Sequence, residues 1–531
     1  MRRDALLALA GLVMLAYAGA DAFRSQPRTF EYQMDACHTP VTVMEPLQEP
    51  PVANAIVIHG LAANRHIMTY TARWLSAQGL RVYALDLPGH GDSTEHFTYA
   101  NAESCAGQAI DELAERGDIR VDRTILLGHS MGGEIAIRLA DRFPNTAATI
   151  AISPAPLVAP LRMPANLMVA SAQFDIPWLR ATARQLASDA GGTRTSPEDF
   201  AQRRAFKLLD LSFSDHVSLL FDARAGEKYA AWTRQALGIP GPPEPVPGSP
   251  RLALLLGCAG IVLLFPLAAT LIAGPGRRGA QHFPDRDPEA KFGAQVPDDA
   301  APSALAPRTA LLYCGVAAVL AVAFLAAVPH YEWLGLSNGS YLTTCLLISG
   351  MALAALVVRR DTNWGWSVRG VFSAIALAFI FAMASRAWLG GADGNAAGWS
   401  LSRAGLDSAM QGLLLTSPRW LRLGPAALAV FPYCLAEEIA LGPRLPGMNW
   451  RRFGLFVAMR FELWLPMAAA ILITMNSQVL IAVLLPGFIG ASVAQHYGSE
   501  AVRRRTGSPA AAAIFGAIIA AWFIVSVFPL T

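Results

Sequence analysis

Beyond Arg251 the chain carries eight apolar runs, at 251–273, 309–328, 340–358, 370–388, 425–441, 454–475, 478–496 and 509–529. Each is long enough to cross about 30 Å of hydrocarbon. A backbone inside a bilayer must satisfy its hydrogen bonds within its own segment, so such runs leave little choice but helices. Residues 251–531 therefore read as an all-α transmembrane domain of about eight helices. Hydrophobic residues make up 53% of the chain and charged residues 15%, against roughly 25% charged in soluble domains. That excludes a disordered, collagen-like or disulfide-scaffold protein. A net charge of +3 gives no reason to expect nucleic acid as a partner. Lysine occurs only at Lys207, Lys228 and Lys291 among 42 basic residues, which points to a GC-rich, bacterial genome.

Residues 1–24 hold a further apolar segment, Ala5 to Ala20, preceded by Arg2 and Arg3. We read it as a membrane anchor. Ala20-Asp21-Ala22 would also serve as a cleavage site, so a signal peptide is the alternative, and either would export the soluble domain. Residues 25–237 read as that soluble domain, and 238–250 (GIPGPPEPVPGSP) as a Pro-rich linker. With Arg2 and Arg3 inside, the loops near 274–308, 359–369, 442–453 and 497–508 fall inside, and all four carry clustered Arg. The outside loops 329–339 and 476–477 carry no Lys or Arg; 389–424 has three and weakens the pattern. The expected location is the inner membrane of a bacterium, multi-pass, with the soluble domain on the periplasmic side.

In the soluble half, short apolar runs alternate with helical stretches, which implies a mostly parallel, doubly wound sheet covered on both faces. Thr29–Met44 reads as an antiparallel hairpin at one edge. The strand Thr124–Gly128 leads into Gly128-His129-Ser130-Met131-Gly132, a G-x-S-x-G pattern that precedes a helix. A sharp strand-to-helix turn needs small residues two before and two after the serine, and it raises that serine above the sheet edge at a helix N-terminus.

With this motif the sequence resembles the α/β-hydrolase superfamily. His59-Gly60 after a strand, LPGHGDS at 87–93 and GHSMGG at 128–133 look like the branch of monoacylglycerol lipases and serine aminopeptidases. The resemblance covers roughly 50–237. It implies that the backbone N–H groups of Leu61 and Met131 form an oxyanion hole. It also implies the triad order Ser, acid, His. His216 is the only histidine of the soluble half after the serine, and it follows a plausible last strand. No Asp or Glu lies between Ser153 and Met168, so the acid falls to Asp175 after the next strand. Asp199, Asp210 and Asp215 are weaker rivals, and a helix N-cap is the bland role for Asp175. The expected triad is Ser130, Asp175 and His216, acting through an acyl-enzyme on an acyl ester of a lipid or envelope component, with no metal and no cofactor. Peptidase or acyl-transferase activity stays open. The stretch between the sixth and seventh strands is too short for the helical cap usual in that branch, which implies an open site.

Inside the predicted spans stand Glu437, Glu438, Arg460 and Glu462. Charges within a membrane are rare and make a functional hypothesis by default. An ion pair of Arg460 with Glu437 or Glu438 is expected, either as helix-to-helix glue or as part of a transport or second catalytic site. The Glu-Glu pair is similar to that of intramembrane CPBP-type proteases. Gly442 stands where their motif has Arg, and their later His motifs are missing, so that reading is rejected. Leu401–Leu423 reads either as an interfacial amphipathic helix or as a solvated loop. No spacing argument brings Cys37 and Cys105 together, so free thiols are expected, with pairing open in an oxidising compartment. A transporter or lipid-handling protein whose hydrolase-like domain only binds or gates is the rival from another class.

Overall fold

The short apolar runs of the first half form one eight-stranded sheet in this computed structural model. The structure describes all residues except 1, 23–26, 47–49, 158–161, 246–250, 274–304, 329–331, 359–365, 393–416, 443–448, 475–477, 479–480 and 482–483. Two compact units emerge. One comprises 14–258, 386–418 and 527–531; the other comprises 1–13, 259–385 and 419–526.

The first unit holds the sheet. After helix α1 (Arg2–Ala22), which straddles the two units, come β1 (Thr29–Gln33) and β2 (Pro40–Met44), an antiparallel hairpin as expected. Next are β3 (Ala53–Ile58), α2 (Thr69–Ser76), β4 (Leu80–Leu85), α3 (Tyr99–Glu115), β5 (Thr124–His129), α4 (Met131–Arg142) and β6 (Ala148–Ile152). The unit continues through β7 (Leu167–Ala172), α5 (Pro177–Asp189), α6 (Pro197–Ala201), β8 (Phe206–Leu211) and α7 (Ala223–Leu237). The strand order is β1-β2-β4-β3-β5-β6-β7-β8, with β3 to β8 parallel. Every residue of β3, β5, β6 and β7 is buried, as a sheet covered on both faces requires. Side chains alternate between two cores. Ala55 and Val57 pack with Trp74, Tyr229 and Trp232 under α2 and α7, while Ile56 and Ile58 pack with Ile110 and Ile135 under α3 and α4.

Cys37 and Cys105 are joined by a disulfide, contrary to the expectation of free thiols. The hairpin folds back on α3, where Ala36 N–H donates to Glu112 Oε2 at 2.7 Å. That long-range contact leaves no trace in local spacing. Residues 527–531 also belong to this unit: Phe97 N–H donates to Leu530 O at 2.7 Å, and Leu530 N–H to Gly89 O at 2.9 Å.

The second unit is helical. It is built from α8 (Arg251–Ala273), α9 (Pro307–Ala327), α10 (Gly339–Val357), α11 (Val368–Ala392), α12 (Ser417–Ala440), α13 (Asn449–Thr474), α14 (Leu485–Thr506) and α15 (Pro509–Val527), of which α8, α11, α12 and α15 have an end in the first unit. Among the described residues six helices are long and apolar enough to cross a membrane: Leu255–Ala273, Pro307–Ala327, Gly339–Val357, Pro418–Ala440, Arg452–Thr474 and Pro509–Val527. The run expected at 370–388 forms α11, but its apolar part, Val368–Ala384, is shorter. The run expected at 478–496 instead forms α14, which continues to Thr506 through a stretch expected to be a loop. It buries the polar residues Gln495, His496, Ser499 and Glu500 and ends on Arg503, Arg504 and Arg505; this polarity, not its length, keeps it out of the six. Arg419, Trp420 and Arg422, expected in an interfacial segment or loop, begin α12; 401–416 lie outside the described residues, as do the loop 476–477 and most of the loops 274–308 and 389–424.

Candidate active site

The turn at Ser130 is dictated by glycine on both sides. A Cβ at Gly128 would lie 1.9 Å from Gly132 O, and one at Gly132 would lie 2.3 Å from Ile58 O. Between them Ser130 sits at φ 55°, ψ −118°, a conformation a side-chain-bearing residue adopts only when its surroundings enforce it. Its N–H is fixed to Ile152 O at 2.8 Å. The serine thus stands at the start of α4, between the ends of β3, β5 and β6.

Three loops after three parallel strands meet here. His216, beyond β8, places Nε2 3.0 Å from Ser130 Oγ and Nδ1 2.9 Å from Asp175 Oδ1. Asp175, beyond β7, also accepts from Ile176 N–H at 2.8 Å. Burial pushes its carboxyl up, but the hydrogen bond and charge of His216 outweigh this and hold it below the usual carboxylate range. The rivals lie elsewhere. Asp199 closes a capping box with Ser196 at the start of α6. Asp215 accepts from Val217 N–H and Ser218 N–H at 3.0 and 2.9 Å. Asp210 is exposed on β8. The N-cap of α5 is Ile176, without a side-chain cap.

The two expected oxyanion donors flank the serine. Neither Leu61 N–H nor Met131 N–H has an acceptor among the described residues. His59 sets the first. Leu87 N–H donates to its Nε2 at 3.0 Å, so Nδ1 carries the proton and donates to Gly60 O at 2.8 Å. Burial keeps His59 neutral by pushing its pKa down. With the Gly60 carbonyl held by His59, the trans peptide turns the Leu61 N–H the opposite way. Gly60 abuts the serine, since a Cβ there would lie 2.9 Å from Ser130 Cβ.

A buried polar cluster supports this edge, and sequence reasoning missed it. Arg65 (4% exposed) pairs with Asp86 (0% exposed), with Asp92 at 2.9 Å and with Glu31 at 3.3 Å. Arg65 N–H and Asp92 N–H both donate to Asp86, at 2.7 and 2.9 Å. Asp86 and Asp92 flank the LPGHG turn, which was the available signal.

The charges of the helical unit sort into two groups. Arg460 donates to Glu437 Oε2 at 2.8 Å and to Gln495 Oε1 at 3.3 Å, with its guanidinium 5.0 Å from the Tyr433 ring centre. Glu438 instead accepts from Arg452 at 2.9 Å and from Arg503 at 2.6 Å. Arg452, Arg503 and Gln495 were not expected as partners. Glu462 is exposed, faces Gly315 and has no ion pair among the described residues, unlike the other three charges grouped with it.

Sheet order, nucleophile turn and the Ser-His-Asp arrangement together define an α/β hydrolase fold followed by a helical membrane-type region. Residues 55–292 match the family described as the alpha/beta hydrolase family. The chain is 30% identical over 133 residues to 1-acylglycerol-3-phosphate O-acyltransferase ABHD5 of Rattus norvegicus, covering 25% of this chain and 36% of that protein. It is 34% identical over 101 residues to the pimeloyl-[acyl-carrier protein] methyl ester esterase of Nitrosospira multiformis, covering 19% of this chain and 37% of that one. It thus spans little more than a third of the length of these relatives. Among solved structures, the CIB-like hydrolase of Thermoplasma acidophilum is 20% identical, with 40% of this chain and 97% of that chain covered and a TM-score of 0.31.

Proposed function

We propose that the protein is a membrane-bound serine hydrolase acting outside the cytoplasmic membrane on an acyl ester of a lipid or envelope component. The observation that carries this reading is the continuous chain Ser130 Oγ, His216, Asp175 at 3.0 and 2.9 Å, flanked by the N–H groups of Leu61 after β3 and Met131 after the serine, neither with an acceptor among the described residues.

His216 Nε2 takes the Ser130 proton as Oγ attacks the ester carbonyl, while Asp175 holds Nδ1–H and stabilises the imidazolium. The oxyanion is held by Leu61 N–H and Met131 N–H. Collapse of the tetrahedral intermediate expels the alcohol, which takes the proton from His216. Water or another alcohol then resolves the acyl-enzyme by the same steps in reverse. Similarity to a lipid O-acyltransferase and to a methyl ester esterase supports an ester as substrate. The disulfide supports an oxidising compartment for this unit, in agreement with the basic residues assigned to the inside loops. The six long apolar helices support a bilayer as the immediate partner.

Labelling of the full-length protein in detergent with a fluorophosphonate tests the reading. We expect labelling of the wild type and none of Ser130→Ala. A folded wild type that takes no label would favour a domain that only binds or gates.

A further inference from the structure

Phe174 and Phe213 stand at matching positions beyond two neighbouring strands. β7 and β8 pair in parallel with Ala172 opposite Leu211, and each phenylalanine lies two residues further on. The two loops are tied together: Gln173 N–H donates to Leu211 O, Phe174 N–H to Ser214 O, and Phe213 N–H to the Gln173 side chain, each at 2.9 Å. Asp175 is the residue after the first, and His216 comes three residues after the second. Both rings are open to solvent, at 64% and 79% exposure. Phe213 is also held at φ 58°, where a Cβ is strained and glycine is at ease. Neither ring packs into a core cluster, and both stand on the loops that carry Asp175 and His216. A strained, exposed ring three residues from that histidine is a reason to look for a role in binding.

We propose that Phe174 and Phe213 form the acyl-chain seat of the site, so that the enzyme selects esters of long-chain over short-chain acids. This rests on the reading of Ser130 as nucleophile. The hydrocarbon of the acyl group lies across the two rings, which lose their water only when a chain of sufficient length is present. A two-carbon acyl group does not reach them. The gain therefore appears with chain length and not in the chemistry at the carbonyl.

The test compares kcat/KM for p-nitrophenyl octanoate and acetate, using the full-length protein in detergent. In Phe174→Ser combined with Phe213→Ser the octanoate-to-acetate ratio should fall about tenfold, the loss expected for about two methylenes left in water. Phe213→Leu should keep most of the ratio. Phe213→Gly should lower the ratio while raising Tm, since it relieves the strained φ; a merely structural residue would not separate the two. A wild type active on both esters whose ratio is unmoved in the double variant overturns this proposal alone. A wild type that takes no fluorophosphonate and turns over neither ester overturns the serine-hydrolase reading with it.

Discussion

His129 Nε2 donates a 2.9 Å hydrogen bond to the backbone carbonyl of His216. The residue before the proposed nucleophile therefore holds the histidine proposed to activate it. The two rings lie 4.7 Å apart, so a charge on both would be repulsive. Burial, and then the neighbouring His216, push the His129 pKa down to about 3, against roughly 6.5 in an unfolded chain. Between those values the unfolded chain binds a proton that the folded one refuses. This group's contribution to stability is thus fully present above about pH 6.5 and is lost as pH falls toward 3, by about 1.4 kcal/mol per pH unit. Tm should decline from pH 7 to pH 4, and in His129→Gln, which keeps a donor but not the titration, the decline should be shallower. His59, also pushed down by burial, leaves part of the slope in place. Identical slopes in wild type and variant would remove His129 as a source.

The second expectation concerns the acid. Asp175→Asn should leave the fold intact but let the His216 ring settle in the wrong tautomer, with a turnover loss on the order of 10⁴-fold. His216→Ala should lose at least as much, and the double variant little more, because the three residues act as a unit. Asp215→Asn should change turnover far less, since its carboxylate is spent on the Val217 and Ser218 N–H groups. Steady-state kinetics with an activated ester decides. Near-normal turnover in Asp175→Asn would break the assignment.

The disulfide closes a loop between residues 68 apart in sequence. By the loop-closure relation it restricts the unfolded chain by about 4 kcal/mol. Cys37→Ser combined with Cys105→Ser should lower the stability of the sheet unit by roughly 2–4 kcal/mol, read by thermal unfolding. Under non-reducing conditions the wild type should leave both cysteines closed to a thiol reagent. Quantitative alkylation of the native, unreduced protein at both positions would show that the pair is open.

The sheet was legible because burial on both faces gives continuous apolar runs, and the nucleophile turn because its geometry tolerates so few residues at Gly128 and Gly132. The position of Asp175 beside His216 could be reached by elimination, since 153–168 holds no carboxylate. Other contacts were not legible. The Cys37–Cys105 bond depends on how the β1–β2 hairpin folds onto α3, and Arg65 reaches Asp86 across 21 residues. In the helical unit, polarity misled. A hydropathy reading sees Gln495, His496, Ser499 and Glu500 as approaching a loop, whereas α14 buries them. Its partner choice, Arg460 with Glu437 and not Glu438, depends on helix rotation, which adjacent identical residues cannot reveal.

That partner choice gives the last prediction. Arg460 and Glu437 are 7% and 5% exposed, so removing the cation alone leaves a buried carboxylate unmatched. Breaking a buried pair from one side costs about 3–5 kcal/mol, whereas replacing both partners by neutral groups of similar shape is often close to neutral. Arg460→Met should therefore reduce the thermal stability of the detergent-solubilised protein strongly, and adding Glu437→Gln should recover most of it. Adding Glu438→Gln should recover nothing and make matters worse. Glu438 holds Arg452 and Arg503, so its neutralisation leaves Arg452 with Glu500 at 3.2 Å and takes the carboxylate from Arg503, while Glu437 stays uncompensated. If the two double variants were equally stable, the separation of the charges into two groups would be wrong, and the pairing would have to be shared between both glutamates.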